Sequence, residues 1–448
     1  MLFPDQVEAP PTTSEIVAAE DSQPLPVAQN PLEFSNSLVD NIDFDQIGYG
    51  RDSDFNISYC PAPFQPMNLG TLTSTKLRQP IHQAAQSGNL AMVSLLLERA
   101  PACAGLAGTD GATALGLAAQ AGHLEVVRLL LGYSGVNVDV PVIETLRTPI
   151  HQAAQEGHID IVRLLLSGGA AADPHDNNNV TPLWSAAQQG FHEIVQILIH
   201  AQANTEAASA NGNRRPIHQA AQNGHLEVIK MLLAAGAAVE PSVGSYDDET
   251  PSPLWLAAQQ GHYEIAKLLI RSNANVDFCI HPARRFPIHQ AAQNGCVDIV
   301  ALLIQHGAEV NAREEDGWPP LMIAAQNNFT KIIALLLKNG ADVNAEEKDG
   351  ATALWIASQQ GHSEVVKMLL ERGAKSFLTR SGRRLPVHQA AQNGHLEVIK
   401  MLLAENPNDV YAEEQEGVTP LFLASQGDKP GHIDVARYLL DQGASVVI

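Results

Sequence analysis

Apolar and polar positions follow a pattern that recurs about every 33 residues along most of the chain. Each unit opens with a short Ala-rich stretch, continues through Gly-His into an apolar run such as HLEVIKMLL, and ends with Gly-Ala and a polar connector. Within one such run the apolar residues have helical spacing: Leu226, Val228, Ile229, Leu232 and Leu233. The pattern predicts a helix, a turn, a second helix and a hairpin in every unit. No unit can bury its apolar face alone, so neighbouring units must stack.

Two phrases mark where the units begin. PIHQAAQ-x-G occurs five times, once with Val for Ile, and a phrase similar to TPLWxAAQQG is interleaved with it. Aligning both phrases gives eleven anchor positions, which are Pro80, Ala114, Pro149, Pro182, Pro216, Pro253, Pro287, Pro320, Ala353, Pro386 and Pro420. Proline suits the first position of a helix, and a preceding Thr or Ser can cap the exposed amides. We therefore predict that each anchor begins a helix of a tandem-repeat solenoid.

The repeated residues resemble the ankyrin-repeat family. Thr148-Pro149-Ile150-His151 nearly matches the TPLH opening of the family's repeat, and Gly340 to Ala345 spells GADVNA, which matches its end. The resemblance covers residues 76–448 in about eleven repeats and implies an all-α solenoid of helix-turn-helix units with hairpin loops. It also implies a non-enzymatic scaffold that binds a protein segment in the concave groove formed by the inner helices.

The position two residues after the anchor distinguishes two kinds of unit. Five units have a histidine at this position: His82, His151, His218, His289 and His388. The remaining units have Trp184, Trp255, Trp355, Gly116, Met322 or Phe422 there. The resemblance implies that the histidine joins its own loop to the loop of the next unit through a hydrogen bond. A shared metal ion is disfavoured, because histidines two layers apart would be separated by ~20 Å at the spacing of packed helices. We interpret the histidines and tryptophans as packing residues.

A column of glutamines lies six residues after the anchors. Its members are Gln86, Gln120, Gln155, Gln188, Gln222, Gln259, Gln293, Gln326, Gln359, Gln392 and Gln426. The resemblance places this column on the inner helix, facing the groove. Two interpretations stay open: the amides bond each other in a ladder, or they read the backbone of an extended partner, since an amide both donates and accepts. Of these, Gln155, Gln188, Gln222, Gln259 and Gln293 are the candidate contacts.

A column of arginines precedes the anchors of the His-type units. It comprises Arg78, Arg147, Arg214, Arg285 and Arg384, joined by Arg215, Arg284 and Arg383. The resemblance places it at the hairpin edge of the groove. Guanidinium groups suit carboxylates and phosphates, so an acidic or phosphorylated segment is one candidate partner. The alternative is a solvated row paired with nearby acids such as Asp247, Asp248 and Glu249. Tyr246, in an enlarged connector, is a further candidate contact.

Composition separates residues 1–75 from the rest. They carry eleven acidic residues against Arg51 alone, with many Pro and Ser, which predicts a disordered tail. Acidic and apolar residues mix in residues 30–50, so this tail could recruit a second partner, as in an adaptor or host-directed effector, or dock on the arginine edge. The net charge of −22 leaves −12 on the repeats. The negative electrostatic field that results disfavours nucleic-acid binding, which depends on neutralisation of the phosphate groups.

The sequence contains no catalytic or targeting motif that changes this interpretation. There is no phosphate loop, H-E-x-x-H, nucleophile elbow or dinucleotide fingerprint, so we expect neither an enzyme nor a cofactor. The four cysteines lack paired spacing, and no signal peptide or 18-residue apolar run is found. We expect a monomeric, cytoplasmic protein without membrane insertion.

Overall fold

The computed structural model describes residues 79–240, 250–280, 283–380, 384–414 and 417–446. In these ranges the α-helices are α1 Pro80–Gln86, α2 Leu90–Arg99, α3 Ala114–Ala121, α4 Leu124–Leu131, α5 Pro149–Glu156, α6 Ile159–Ser167, α7 Pro182–Gln189, α8 His192–His200, α9 Pro216–Asn223, α10 Leu226–Ala234, α11 Pro253–Gln260, α12 Tyr263–Arg271, α13 Pro287–Gln293, α14 Val297–Gln305, α15 Pro320–Gln326, α16 Thr330–Lys338, α17 Ala353–Gln360, α18 Ser363–Glu371, α19 Pro386–Gln392, α20 Leu396–Glu405, α21 Pro420–Ser425 and α22 Pro430–Asp441. Short 3-10 helices follow α2 and α20, at Pro101–Gly105 and Pro407–Tyr411.

The helices form successive antiparallel pairs, and the first helix of every pair begins at one of the eleven predicted anchors. The all-α solenoid predicted from the sequence is confirmed. Extended pairing in the described ranges is limited to two isolated bridges, Ala107 with Thr113 and Ile280 with Arg285. The predicted disordered tail and its boundary near residue 75 lie outside the described residues.

The two kinds of unit cap their first helices in different ways. In His-type units the ring Nδ1 accepts the backbone N–H of the residue before the anchor, as between His289 and Phe286 at 3.3 Å. The side chain of that preceding residue is not needed, so Phe286 or Leu385 can replace the usual Thr. In most other units a hydroxyl caps the helix, as Thr181 does for the N–H of Trp184 at 3.2 Å. Each cap satisfies an otherwise orphan amide.

Alanines let the first helices of neighbouring units pack closely. Ala153, Ala154, Ala220 and Ala221 are fully buried, and the second helices contribute larger residues such as Leu232 to the same continuous core. The core therefore runs along the stack and is shared between adjacent units, as expected for a repeat protein.

The histidine of the Gly-His phrase joins most units to the one before. His225 Nε2 donates to the carbonyl of Gln188 at 2.9 Å, and His123, His158, His262, His362, His395 and His432 make the same contact one unit back. This bond satisfies a carbonyl in the last turn of a first helix, where no intrahelical donor is available. The ring also fills the space over the preceding glycine: a Cβ on Gly122, whose φ is +81°, would lie 2.6 Å from His158 Cε1.

A second ladder joins the hairpins. Asp173 accepts the backbone N–H of Asn204 at 2.7 Å, and Glu206 accepts that of Ala238 at 2.9 Å. The same relation continues through Glu240, Asp277, Asn311 and Asn344. Part of the acidity of the repeats is therefore used to hold neighbouring hairpins in register.

Candidate protein-binding face

The predicted site residues that the structure describes lie in the first helices or within three residues before them, and we call this region the inner face. The described members comprise six of the eight candidate arginines and all five candidate glutamines. Arg78, Arg383 and Tyr246 lie outside the described residues, so their placement stays a prediction.

The arginine and glutamine columns meet on this face. Arg214 Nη1 donates to Gln222 Oε1 at 2.7 Å, and Arg384 Nη1 donates to Gln392 Oε1 at 3.1 Å. Arg147 Nη1 donates to Gln155 Oε1 in the same way. The two residues of each pair are eight positions apart, one just before the helix and the other in its last turn. The constant spacing of the two columns in the His-type units was a signal for this contact, but the contact was not predicted.

Three of the guanidinium groups also form an ion pair with a carboxylate of the following hairpin. Arg147 Nε lies 3.1 Å from Asp176 Oδ2, Arg285 Nε lies 3.1 Å from Glu314 Oε2, and Arg384 Nε lies 2.5 Å from Glu414 Oε2. Burial raises the pKa of Glu314, and the neighbouring Arg285 opposes that shift. The acids named from the sequence, Asp247, Asp248 and Glu249, lie outside the described residues.

These ion pairs change the predicted electrostatics of the edge. Because each of the three guanidinium groups has a carboxylate partner, the edge is much less basic than its arginine content indicates. The side chains nevertheless remain accessible, with 31% of Arg147, 46% of Arg285 and 33% of Arg384 exposed. They can therefore donate hydrogen bonds to a partner while contributing little net charge.

Arg215 does not belong to the exposed edge. Its side chain is buried, with 2% of the residue exposed, and it forms an ion pair with Glu206 and donates to the carbonyl of Glu240. The guanidinium is directed towards Glu206 and the carbonyl of Glu240, which accounts for its burial. The expectation that Arg215 is an exposed contact is wrong. Arg284 is exposed, with a positive φ of 48°.

The backbone carbonyls of the glutamine column have one role and its side chains have another. Its carbonyls accept bonds from the next unit: Gln188 from His225 and Asn223, and Gln259 from Asn294 at 2.7 Å. Its side chains at Gln155, Gln222 and Gln392 accept from arginines. Gln293 is exposed. At these three positions the side-chain oxygen is bonded to an arginine of the same unit, and the choice between an amide ladder and contact with a partner stays open.

Four of the five His-type histidines are buried clasps, whereas His218 is buried without a hydrogen-bond partner for its Nε2. His151 Nε2 donates to the carbonyl of Val180 at 3.0 Å, and His289 Nε2 donates to those of Ala312 and Trp318 at 3.0 and 3.2 Å. Burial lowers the pKa of both rings to about 4, and it lowers the pKa of His218, beside Arg215, to about 3. Among the described residues no group of three His, Cys, Asp or Glu is placed to hold a metal ion. The clasp implied by the resemblance is therefore present.

Comparison with known proteins decides the family. A model of ankyrin repeats (three copies) matches residues 65–142, 142–209, 217–314, 288–380 and 376–448. The chain belongs to the ankyrin-repeat family. This fold is generally an interaction module. In the described parts of the chain, no helix is both long enough and apolar enough to cross a membrane.

Individual relatives are similar over shorter stretches. Protein phosphatase 1 regulatory subunit 27 of mouse and of human is 41% identical over 44 residues, which is 10% of this chain and 29% of those proteins. The human ASB11 ankyrin repeat domain is 27% identical, with 51% of this chain and 99% of that domain covered at a TM-score of 0.47. Because the match spans 29% of the phosphatase subunits, it does not carry their function over.

Proposed function

We propose that this ankyrin-repeat protein is a non-enzymatic scaffold whose inner face binds an extended segment of a partner protein. The observation that carries the proposal is the recurring Arg–Gln pair, in which Arg147, Arg214 and Arg384 are each fixed by a glutamine of their own unit. A fixed guanidinium loses little side-chain entropy when it binds, so its remaining N–H groups are organised in advance.

The chemistry of the pairs favours recognition through hydrogen bonds. The accessible guanidinium groups suit backbone carbonyls and acidic or phosphorylated side chains of the segment. Asp176 and Glu414 already balance the arginines of two of these pairs, and Glu314 balances Arg285, so we expect binding at these points to depend only weakly on salt. The partner segment is thus read mainly by the spacing of donors along the stack.

A peptide library provides a direct test. Random linear peptides displayed on phage are selected against the full chain, and the best binder is synthesised with a fluorescent label for anisotropy titration. We expect the triple change Gln155→Ala, Gln222→Ala and Gln392→Ala to weaken binding by about tenfold or more, because each hydrogen bond contributes about 0.5–1.5 kcal/mol.

The matched control changes exposed residues of the second helix α8, Glu193→Ala with Gln196→Ala. This double variant should bind as the wild type does. Failure to select any binder, or equal loss in both sets of variants, would contradict binding at the inner face.

A further inference from the structure

The residue three positions before the anchor has a left-handed backbone conformation in most hairpins. In eight of the described hairpins its φ lies between +48° and +88°. Glycine or asparagine occupies six of these positions: Gly111, Gly317, Gly350, Gly417, Asn179 and Asn213. The other two residues are Leu146, with a φ of 58°, and Arg284, with a φ of 48°. Glycine and asparagine adopt this conformation readily, whereas other side chains strain the backbone there.

The fold does not use the two strained side chains for packing. Leu146 is 45% exposed, and Arg284 is exposed as well. Neither residue belongs to the core or to the partly buried residues that pack against it. Strained residues cluster at functional sites, and the inference runs from the observed strain to a function. A glycine would suit the hairpin at least as well, so the reason for these side chains lies outside the packing of the stack.

Arg284 also differs from its neighbours in its charge environment. Four other arginines of the hairpins lie within 3.4 Å of a carboxylate: Arg147, Arg285, Arg380 and Arg384. In the part of the chain that the structure describes, the guanidinium of Arg284 has no such partner. The hairpin itself is held in place, because the carbonyl of Ala283 accepts the N–H of Glu315 at 3.0 Å. The described residues therefore leave the charge of Arg284 unbalanced on an edge whose other charges are mostly paired.

We propose that Arg284 selects an anionic side chain, a carboxylate or a phosphate, of the segment that occupies the inner face. The proposal rests on the proposed function and specifies one point of the partner, at the unit that begins at Pro287. A guanidinium group matches either anion through its paired N–H donors. Arg147 and Arg384 offer hydrogen bonds with little net charge, whereas Arg284 supplies an unbalanced charge. It therefore discriminates between anionic and neutral segments.

Leu146 provides a matched control for the backbone strain. It occupies the same position of its hairpin with a similar φ, and its side chain is uncharged. Exchange for glycine relieves the strain at either residue, but only Arg284→Gly removes a charge. The pair of variants therefore separates the effect of charge from the effect of the backbone.

The binding experiment uses the peptide selected on the full-length wild type and analogues in which each acidic residue in turn is exchanged for its amide. One exchange should weaken binding to the wild type by about twofold to fivefold, the range of an exposed ion pair. This loss should disappear in Arg284→Gly, persist in Leu146→Gly and be partly kept in Arg284→Lys. Higher ionic strength should reduce it in the wild type.

A phosphoserine at the same peptide position distinguishes the two anions. Tighter binding than that of the carboxylate, again lost in Arg284→Gly, assigns the contact to a phosphate. Weaker binding assigns it to a carboxylate.

Thermal unfolding gives a readout that does not depend on the peptide. Arg284→Gly and Leu146→Gly should both melt at the wild-type temperature or above it, because glycine adopts the left-handed conformation without strain. A drop in the melting temperature of Arg284→Gly that Leu146→Gly does not share would show that the fold uses the arginine, and it would overturn the proposal.

The outcomes distinguish this inference from the proposed function. If every amide exchange has the same effect on the wild type and on Arg284→Gly, or if the selected peptides lack acidic residues, the inference is overturned while peptide binding stands. The inference also fails if a preference for the acidic peptide appears only after Asp247→Asn, Asp248→Asn and Glu249→Gln, because the acids of the chain itself then pair with Arg284. If no peptide binds, both proposals fail.

Discussion

Acidification should destabilise this protein through its buried histidines. The pKa of His289 is about 4 in the folded state against 6.5 for an unperturbed ring, mainly because burial disfavours the charged form. Between these values the unfolded chain binds more protons than the folded one, so stability falls as the pH is lowered from about 6.5 towards 4. Protonation also removes the Nδ1 acceptor that caps α13 through the N–H of Phe286.

The size of the loss in stability follows from the difference in the pKa of His289 between the folded and unfolded states. Each pKa unit corresponds to about 1.4 kcal/mol, so His289 alone should reduce the free energy of unfolding by about 2 kcal/mol at pH 5 and about 3 kcal/mol by pH 4. His151 has the same shift and His218 a larger one, so their contributions add to it. We therefore expect a steep loss of stability across a range in which exposed histidines would contribute little.

Urea unfolding followed by circular dichroism at pH 7, 6 and 5 measures this dependence. His289→Gln should be less stable than wild type at pH 7, because it loses part of the clasp, but the difference should shrink by about 2 kcal/mol at pH 5. The control His192→Gln changes an exposed ring at the start of α8 and should leave the pH dependence unaltered. Parallel curves for wild type and His289→Gln between pH 7 and 5 would refute the reasoning.

Two further predictions concern the stack. Leu232→Ala should lower the free energy of unfolding by ~2–5 kcal/mol, because it truncates a fully buried side chain of α10. Hydrogen exchange should show the adjacent units loosening first, and simultaneous opening of all units would contradict nearest-neighbour coupling. Gly122→Ala should destabilise the α3–α4 turn, since its φ of +81° disfavours other residues and the new Cβ would collide with the ring of His158. Gly135→Ala has a similar φ of +89° and open space around it, so the larger loss at Gly122, measured by thermal unfolding, isolates the collision from the backbone strain.

The sequence predicted the local elements well because their causes are local. The position of each first helix depends on proline, on a nearby cap and on the alanine pattern, and all of these lie within a few residues of the anchor. The contacts that shape the inner face join residues further apart. Arg147 meets Gln155 across two helical turns and meets Asp176 in the next hairpin, so neither contact follows from helical periodicity alone.

Some of the missed contacts had a signal in the sequence. The histidine of the Gly-His phrase recurs in most units at a constant distance from the anchor, yet its bond to a carbonyl one unit back depends on how the units stack. Arg215 shows the opposite case. Its column position indicated an exposed edge, but its side chain is buried and forms an ion pair with Glu206.

Charge shows why the inner face has to be judged residue by residue. The repeats are acidic as a whole, but Asp173 and Glu206 accept backbone amides of neighbouring hairpins, and Asp176 and Glu314 balance arginines. These carboxylates are committed to the stack, so the net charge does not describe what a partner meets. Under the proposed function, recognition depends instead on the fixed donors at the Arg–Gln pairs.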